Sequence, residues 1–147
     1  VWEVAVDAAS YGHPQVYGNG AIGARAMSAF LQFAIGKKPE ERLTHDDVLR
    51  WAAALHNWNF YNAAALEIAT GYHRGELSFT FCYRVMNDLW SAVQAGFGSG
   101  NNRVPQPFFE IYEAFDAGEY HRKHDRSDDP VAEFADPLVA ELVMRLS

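Results

Sequence analysis

The chain of 147 residues carries a formal net charge of −7, from 19 acidic and 12 basic residues. This balance argues against general binding to nucleic acid, which requires a basic surface, and is compatible with a basic protein partner. Hydrophobic residues make up 49% of the chain, which excludes an intrinsically disordered protein and predicts one domain over residues 1–147 with a buried core.

The N-terminal part combines an ambiguous segment, a loop and a helix. In residues 1–10, apolar side chains recur at every second position, as in a strand, but the alanines there suit a helix. A short strand or extended segment is therefore one of two alternatives. Residues 11–20 hold three glycines and a proline and are predicted to form a loop. Helical spacing then predicts a helix from Ala21 to Ile35, ended by Gly36.

Capping residues predict the next two helices. Thr44, followed three residues later by Asp47, forms an acidic version of the capping box, and we expect its helix to run to about His56. Asn57 or Asn59 is suited to cap the helix that follows.

A fourth helix shows the clearest periodicity in the chain. Gly71 and Gly75 bracket the end of the helix before it, and Ser78 is placed to cap its start. Its apolar residues recur at spacings of three and four, so they share one face. These residues are Cys82, Val85, Met86, Leu89, Trp90 and Val93.

Two more helices complete the pattern. Pro105 and Pro107 stand at the entrance of the fifth helix, and Gly118 stands at its exit. Asp136 followed by Pro137 is typical of a cap and a first helical position, so we expect the last helix to begin there. The sequence therefore predicts an all-α fold, an irregular or orthogonal bundle of five to six helices.

Neither a membrane nor an oxidising compartment is indicated. The longest apolar stretch, residues 20–36, is too short and too polar to span a bilayer. Cys82 is the one cysteine, and its place on an apolar helix face predicts a buried, unreactive thiol. A fold that needs no disulfide fits a reducing environment, and we expect a cytoplasmic location.

A glycine motif precedes the first predicted helix. Gly18, Gly20 and Gly23 match GxGxxG, which binds dinucleotides when a strand precedes it and a second strand follows its helix. The flanking residues here are typical of a loop and of a charged connector. Dinucleotide binding is therefore not favoured, and an anion site at the helix N-terminus remains the alternative.

Histidine and carboxylate residues after Gly118 suggest a metal site, but the surrounding residues argue against one. His121 and His124 are three residues apart, and aspartates follow them. Gly118 ends the preceding helix, however, and the basic residues of this segment would repel a cation. We interpret the segment as a charged loop, and we expect no metal and no cofactor.

No serine or cysteine lies in a context typical of a nucleophile, so we predict no catalytic residue and favour a protein that is not an enzyme. The alternative is an enzyme or ligand-binding domain with an aromatic-lined pocket between helices. Its candidate residues are His56, Glu67 and His73.

The favoured hypothesis is a small acidic binding or accessory protein that acts through a contact surface. Aromatic anchors and acidic groups suit an interface with a basic partner. The candidate residues are Trp58, Tyr61, Asp125, Asp128 and Asp129. A homodimer that buries surplus aromatic side chains is a further alternative.

Overall fold

The computed structural model describes residues 28–38, 40–53, 57–98 and 103–147. These residues form six helices and no strand, so the predicted all-α bundle is confirmed. The helices are α1 (Ala29–Ile35), α2 (His45–Ala52), α3 (Trp58–His73), α4 (Phe79–Phe97), α5 (Phe108–Asp116) and α6 (Asp136–Leu146). A π-helical turn, Val131–Ala135, runs directly into α6. The segment at residues 1–10, with its two alternatives, lies outside the described residues.

The predicted caps of α2, α3 and α4 are confirmed. The Asp47 N–H donates to Thr44 Oγ1 at 3.0 Å and the Thr44 N–H donates to Asp47 Oδ2 at 3.1 Å, which completes the capping box. Asn57 caps α3 and Ser78 caps α4, each by accepting a backbone N–H bond. The predicted end of α2 near His56 is wrong, because Ala53 adopts φ of 67° and ends the helix at Ala52.

The start of α1 also differs from the prediction. Ser28 has an extended backbone, with ψ of 161°, and its hydroxyl accepts the Leu31 N–H at 3.1 Å. Ser28 is therefore the N-cap of α1, which begins at Ala29, and the earlier part of the predicted helix, residues 21–27, lies outside the described residues. The serine hydroxyl replaces the carbonyl partner that the first N–H groups of a helix lack.

The last helical segment begins earlier than predicted. Asp129 Oδ1 accepts the Ala132 N–H at 3.2 Å, and Glu133 Oε2 accepts the Asp129 N–H at 3.2 Å. Asp129 thus caps the π turn, and Asp136 already has helical backbone angles. The cap role predicted for Asp136 is wrong, since the chain is helical before it, and its carboxylate is free to bond elsewhere.

Helix α3 is the central element and contacts each of the other five helices. Its buried side chains are mainly small, which lets its neighbours approach closely. They are Phe60, Tyr61, Ala64, Ala65, Ile68, Ala69 and Gly71. The predicted apolar face of α4 packs into the same core, and Cys82 on it is fully buried. Burial raises the pKa of the Cys82 thiol to about 12, so the thiol stays protonated and unreactive at neutral pH.

One buried carboxylate ties the connector between α1 and α2 to the core. Asp88 lies in the middle of α4, where its side chain is only 8% exposed. It accepts the Leu43 N–H at 3.0 Å and a hydrogen bond from the Arg42 guanidinium, whose side chain is 56% exposed. Asp88 therefore satisfies a buried backbone donor as well as forming an ion pair.

This arrangement predicts unequal effects of removing the two partners. Asp88→Ala leaves the buried Leu43 N–H without an acceptor, and we expect a loss of about 2–3 kcal/mol in the free energy of unfolding. Arg42→Ala removes a half-exposed partner and opens the carboxylate to water, so we expect a loss of about 1 kcal/mol or less. Urea unfolding followed by circular dichroism measures both, and equal losses would contradict this account.

A second prediction concerns Tyr61, which is fully buried and whose hydroxyl has no hydrogen-bond partner in the described structure. Tyr61→Phe removes an unsatisfied polar group, so we expect the protein to gain up to about 1 kcal/mol at neutral pH. Tyr61→Ala, the control, leaves a cavity and costs about 3–5 kcal/mol.

The Tyr61→Phe effect should also depend on pH. Burial raises the pKa of Tyr61 from 10.0 to about 12 in the folded state. As the pH rises, Tyr61 therefore loses its phenolic proton at a lower pH in the unfolded state than in the folded state. Wild-type stability therefore falls as pH rises through this window, and the Phe variant lacks this part of the loss. Urea unfolding at neutral and alkaline pH should show a growing advantage of the variant. An advantage that stays constant would contradict the assignment.

Candidate functional site

An open groove of about 480 Å³ lies where α3 ends, α4 begins and α6 passes beside them. Its lining joins apolar side chains to one carboxylate and one imidazole. The lining residues are Tyr72, His73, Gly75, Leu77, Ser78, Phe79, Asp136, Val139 and Ala140. None of these described lining residues is a lysine or an arginine, so the groove has an acidic rim.

Glycine at position 75 creates the tight turn that forms one wall of this groove. Gly75 has φ of 78° and its N–H donates to Tyr72 O at 3.0 Å, while the Glu76 N–H donates to Gly71 O at 2.8 Å. These two bonds make a Schellman motif, which ends α3 as the sequence predicted. Ser78 then starts α4 after only a few residues, and the short turn leaves the groove open on one side.

The polar centre of the groove is a hydrogen bond between Tyr72 and Asp136. The Tyr72 hydroxyl donates to Asp136 Oδ1 at 2.5 Å, and the tyrosine ring packs against Phe79 and Phe115 with centroid distances of 6.1 and 5.4 Å. Burial and the bond to Asp136 raise the pKa of Tyr72, so its phenol stays protonated at physiological pH. In the described part of the chain, no lysine or arginine pairs with the exposed Asp136 carboxylate.

A pair of carboxyl groups lies on the other side of Phe79. The Phe79 ring stacks on that of Tyr83, with centroids 5.9 Å apart, and burial, and then the Glu119 carboxylate, raise the pKa of the Tyr83 phenol. Burial, and then the nearby Glu119 carboxylate, raise the pKa of Asp116 above its ordinary value. Two acidic groups thus share a partly desolvated site in which their charges repel.

Gly118 brings the groove and the carboxyl pair together. A Cβ atom at this position would lie 2.8 Å from the Ala135 Cβ and 2.9 Å from the Phe79 ring, so only glycine allows this approach. The end of α5 can therefore pack directly on the π turn and on α4. We call the resulting surface the acidic–aromatic face. It consists of Tyr72, Phe79, Tyr83, Asp116, Glu119 and Asp136.

Two of the predicted contact residues are buried and support the fold. Tyr61 lies in the core between Phe60 and Phe108, so the prediction that it belongs to a contact surface is wrong. The Asp128 carboxylate is also buried, where it accepts the Arg122 N–H at 2.7 Å and pairs with His121 Nδ1 at 3.0 Å. The backbone bond is the main reason that the pKa of Asp128 falls to about 2. Because the Asp128 carboxylate is buried, the prediction that it belongs to a contact surface is also wrong.

The other three predicted contact residues reach the surface at separate places. Trp58 is half-buried beneath the Arg103 guanidinium, whose central carbon lies 4.6 Å from the ring centroid. Asp125 and Asp129 are exposed, and each accepts a backbone N–H within its own segment. Their binding role stays a prediction.

The residues of the predicted pocket do not converge where the structure describes them. Glu67 accepts hydrogen bonds from Ser28 N at 2.7 Å and from Ser28 Oγ at 2.6 Å, so it anchors the start of α1. His73 is exposed and lines the groove, whose lining does not include Glu67. His56 lies outside the described residues.

The remaining predicted features give no further site. The anion-site glycines Gly18, Gly20 and Gly23 lie outside the described residues. Within the part of the chain that the structure describes, no group of three or more His, Cys, Asp or Glu side chains is placed to hold a metal ion. The helices in that part include none that is both long and apolar enough to cross a bilayer.

A second aromatic surface joins α4 and α5. The half-buried rings of Trp90, Phe109 and Tyr112 pack together, with the Trp90 centroid 4.9 Å from that of Phe109 and 5.5 Å from that of Tyr112. The aromatic surplus that suggested a homodimer is in part located here. Self-association stays a prediction.

Sequence reasoning missed the Tyr72–Asp136 pair. The two residues are 64 positions apart, and each fits a local role, as an apolar helix position and as a cap. Comparison of the chain with protein-family models, with curated proteins and with solved structures finds no match. The acidic–aromatic face is therefore the feature of this chain that bears most directly on its function.

The carboxyl pair gives a prediction that does not depend on any ligand. In a Glu119→Gln variant, the pKa of Asp116 should fall, because the repelling charge is gone, but it should stay above the ordinary value, because burial remains. A pH titration of the side-chain carboxyl signals by NMR measures this. Glu113→Gln, a neighbouring exposed change, should have a smaller effect on Asp116, and an equal effect would contradict the pairing.

Proposed function

We propose that this protein is a small binding or accessory protein that receives a basic protein partner on the acidic–aromatic face. The observation that carries the proposal is the Asp136 carboxylate, which is exposed at the edge of the groove and has no cationic partner among the described residues. Aromatic rings beside an unpaired charge are typical of interface anchors.

The electrostatics of the face support a cationic partner. Burial, and then the nearby Glu119 carboxylate, raise the pKa of Asp116, and the positive charge of Arg122 offsets this rise only in part. A positive charge brought by a partner would relieve the repulsion between the two carboxylates. The formal net charge of −7 would also speed the approach of a basic protein.

A binding role is favoured over an enzyme because the described candidates for general acid or base chemistry are dispersed. His73 lines the groove, whereas Glu67 bonds to Ser28. A cytoplasmic location belongs to the same proposal. Its support is that Cys82 is a free, buried thiol and the chain needs no disulfide.

The proposal predicts charge-selective binding. The probe is a fluorescein-labelled peptide of repeated Gly-Lys-Leu units, and its control is the same peptide with glutamate in place of lysine. Fluorescence anisotropy should show binding of the basic peptide alone, and the binding should weaken as salt rises. Equal binding of both peptides would contradict the proposal.

Matched variants locate the binding surface. Replacing Asp116, Glu119 and Asp136 by their amides should weaken binding of the basic peptide about tenfold, since three carboxylate contacts are lost. The control carries the same change in charge at Glu40, Asp46 and Glu141, which are exposed and lie outside the face. An equal loss in the control variant would show that net charge, and not this face, binds the peptide.

A further inference from the structure

We infer that the groove receives a lysine side chain of the partner, with the ammonium group between Asp136 Oδ2 and the Tyr72 hydroxyl oxygen. This inference rests on the proposed function and names the chemical group that the face selects.

The acceptors that the groove offers favour an ammonium group over a guanidinium. Asp136 Oδ1 already accepts the Tyr72 hydroxyl hydrogen, which leaves Oδ2 as its unbonded oxygen. A guanidinium binds a carboxylate best through both oxygens in one plane, and the Tyr72 hydroxyl already occupies one of the two lone pairs of Oδ1, so a guanidinium would have to share that oxygen with the phenol. An ammonium group has three donors that can point in different directions. Asp136 Oδ2 and a lone pair of the Tyr72 oxygen suit it.

The shape and polarity of the groove also suit a lysine side chain. Beside the Tyr72–Asp136 pair, the lining is apolar at Leu77, Val139 and Ala140. A lysine side chain has a stem of four methylene groups that packs on such surfaces while its charge stays at a polar edge. The volume of about 480 Å³ leaves room for the residues that flank this lysine in a peptide.

The two acceptors are held in place before any ligand binds. The Tyr72 ring contacts Phe79 and Phe115, and Asp136 sits at the junction of the π turn and α6. Because the raised pKa of Tyr72 keeps its phenol protonated, the bond to Asp136 persists over the physiological range. A site with fixed acceptors loses little conformational entropy on binding.

The test uses the isotope-labelled full chain and three blocked amino acids, the Nα-acetyl N-methylamides of lysine, arginine and norleucine. NMR titration gives an affinity for each and locates it through the methyl signals of Leu77 and Val139. We expect the lysine derivative to bind about fivefold more tightly than the arginine derivative, the ratio that one hydrogen bond is worth. Norleucine, which has no charge, should bind more weakly than either, and Asp136→Asn should abolish the preference for lysine.

A Tyr72→Phe variant tests most directly whether the phenol sets the preference for lysine over arginine. It frees both oxygens of Asp136 and removes the phenol acceptor, so the preference should shift from lysine towards arginine. Tyr120→Phe removes an exposed phenol outside the groove and should leave the ratio unchanged. Folding of each variant is checked by its methyl spectrum. An arginine preference in the wild type, or a ratio that Tyr72→Phe leaves unchanged, would overturn the inference.

The two proposals fail in different ways. If the Gly-Lys-Leu peptide binds and the triple amide variant loses it, but the lysine derivative does not shift the groove signals, the lysine inference alone is wrong. If the basic peptide also fails to bind, the proposed function is wrong, and the inference falls with it.

Discussion

The close packing of α3 against five other helices is the constraint on which the rest of the structure depends. Its buried face carries Ala64, Ala65 and Ala69, and these small side chains let neighbouring helices approach its backbone. Because α3 contacts helices along its length, its two exposed residues, Asn59 and His73, lie at or near its ends. Tyr72 and His73 in its last turn line the groove, and the helix ends in the turn at Gly75. The groove is thus the place where the central helix leaves the core.

Much of the acidic character of this chain serves the fold. Asp88 bonds a buried N–H, Asp128 fixes the loop before the π turn, Asp47 accepts the Thr44 N–H in the capping box of α2, and Asp129 caps the π turn. A carboxylate engaged in this way offers little to a partner. Net charge taken from composition therefore overstates the acidic surface, and the informative carboxylates are those that keep an unbonded oxygen at the edge of the groove, as Asp136 does beside its bond to Tyr72.

Local patterns predicted the features that depend on residues three or four positions apart. The capping box of Thr44 and Asp47, the caps at Asn57 and Ser78 and the glycine ending of α3 are all of this kind. The candidate site could not be predicted in the same way, since it joins residues from four separate helical segments. Asp136 shows the reason: its position before Pro137 is a valid cap signal, but Asp129 had already started the helix upstream.

The π turn has a consequence for how this chain tolerates insertion and deletion. A π turn is equivalent to an α-helix that holds one extra residue. Loss of one residue from Val131–Ala135 would therefore leave a regular helix, but it would rotate the preceding loop by about 100° relative to α6. Phe134, whose ring lies 3.7 Å from the Arg122 guanidinium carbon, would leave that contact, while Val139 could keep its place in the core. The extra residue in the π turn thus allows the preceding loop and α6 to make their contacts in different rotational orientations about the helix axis.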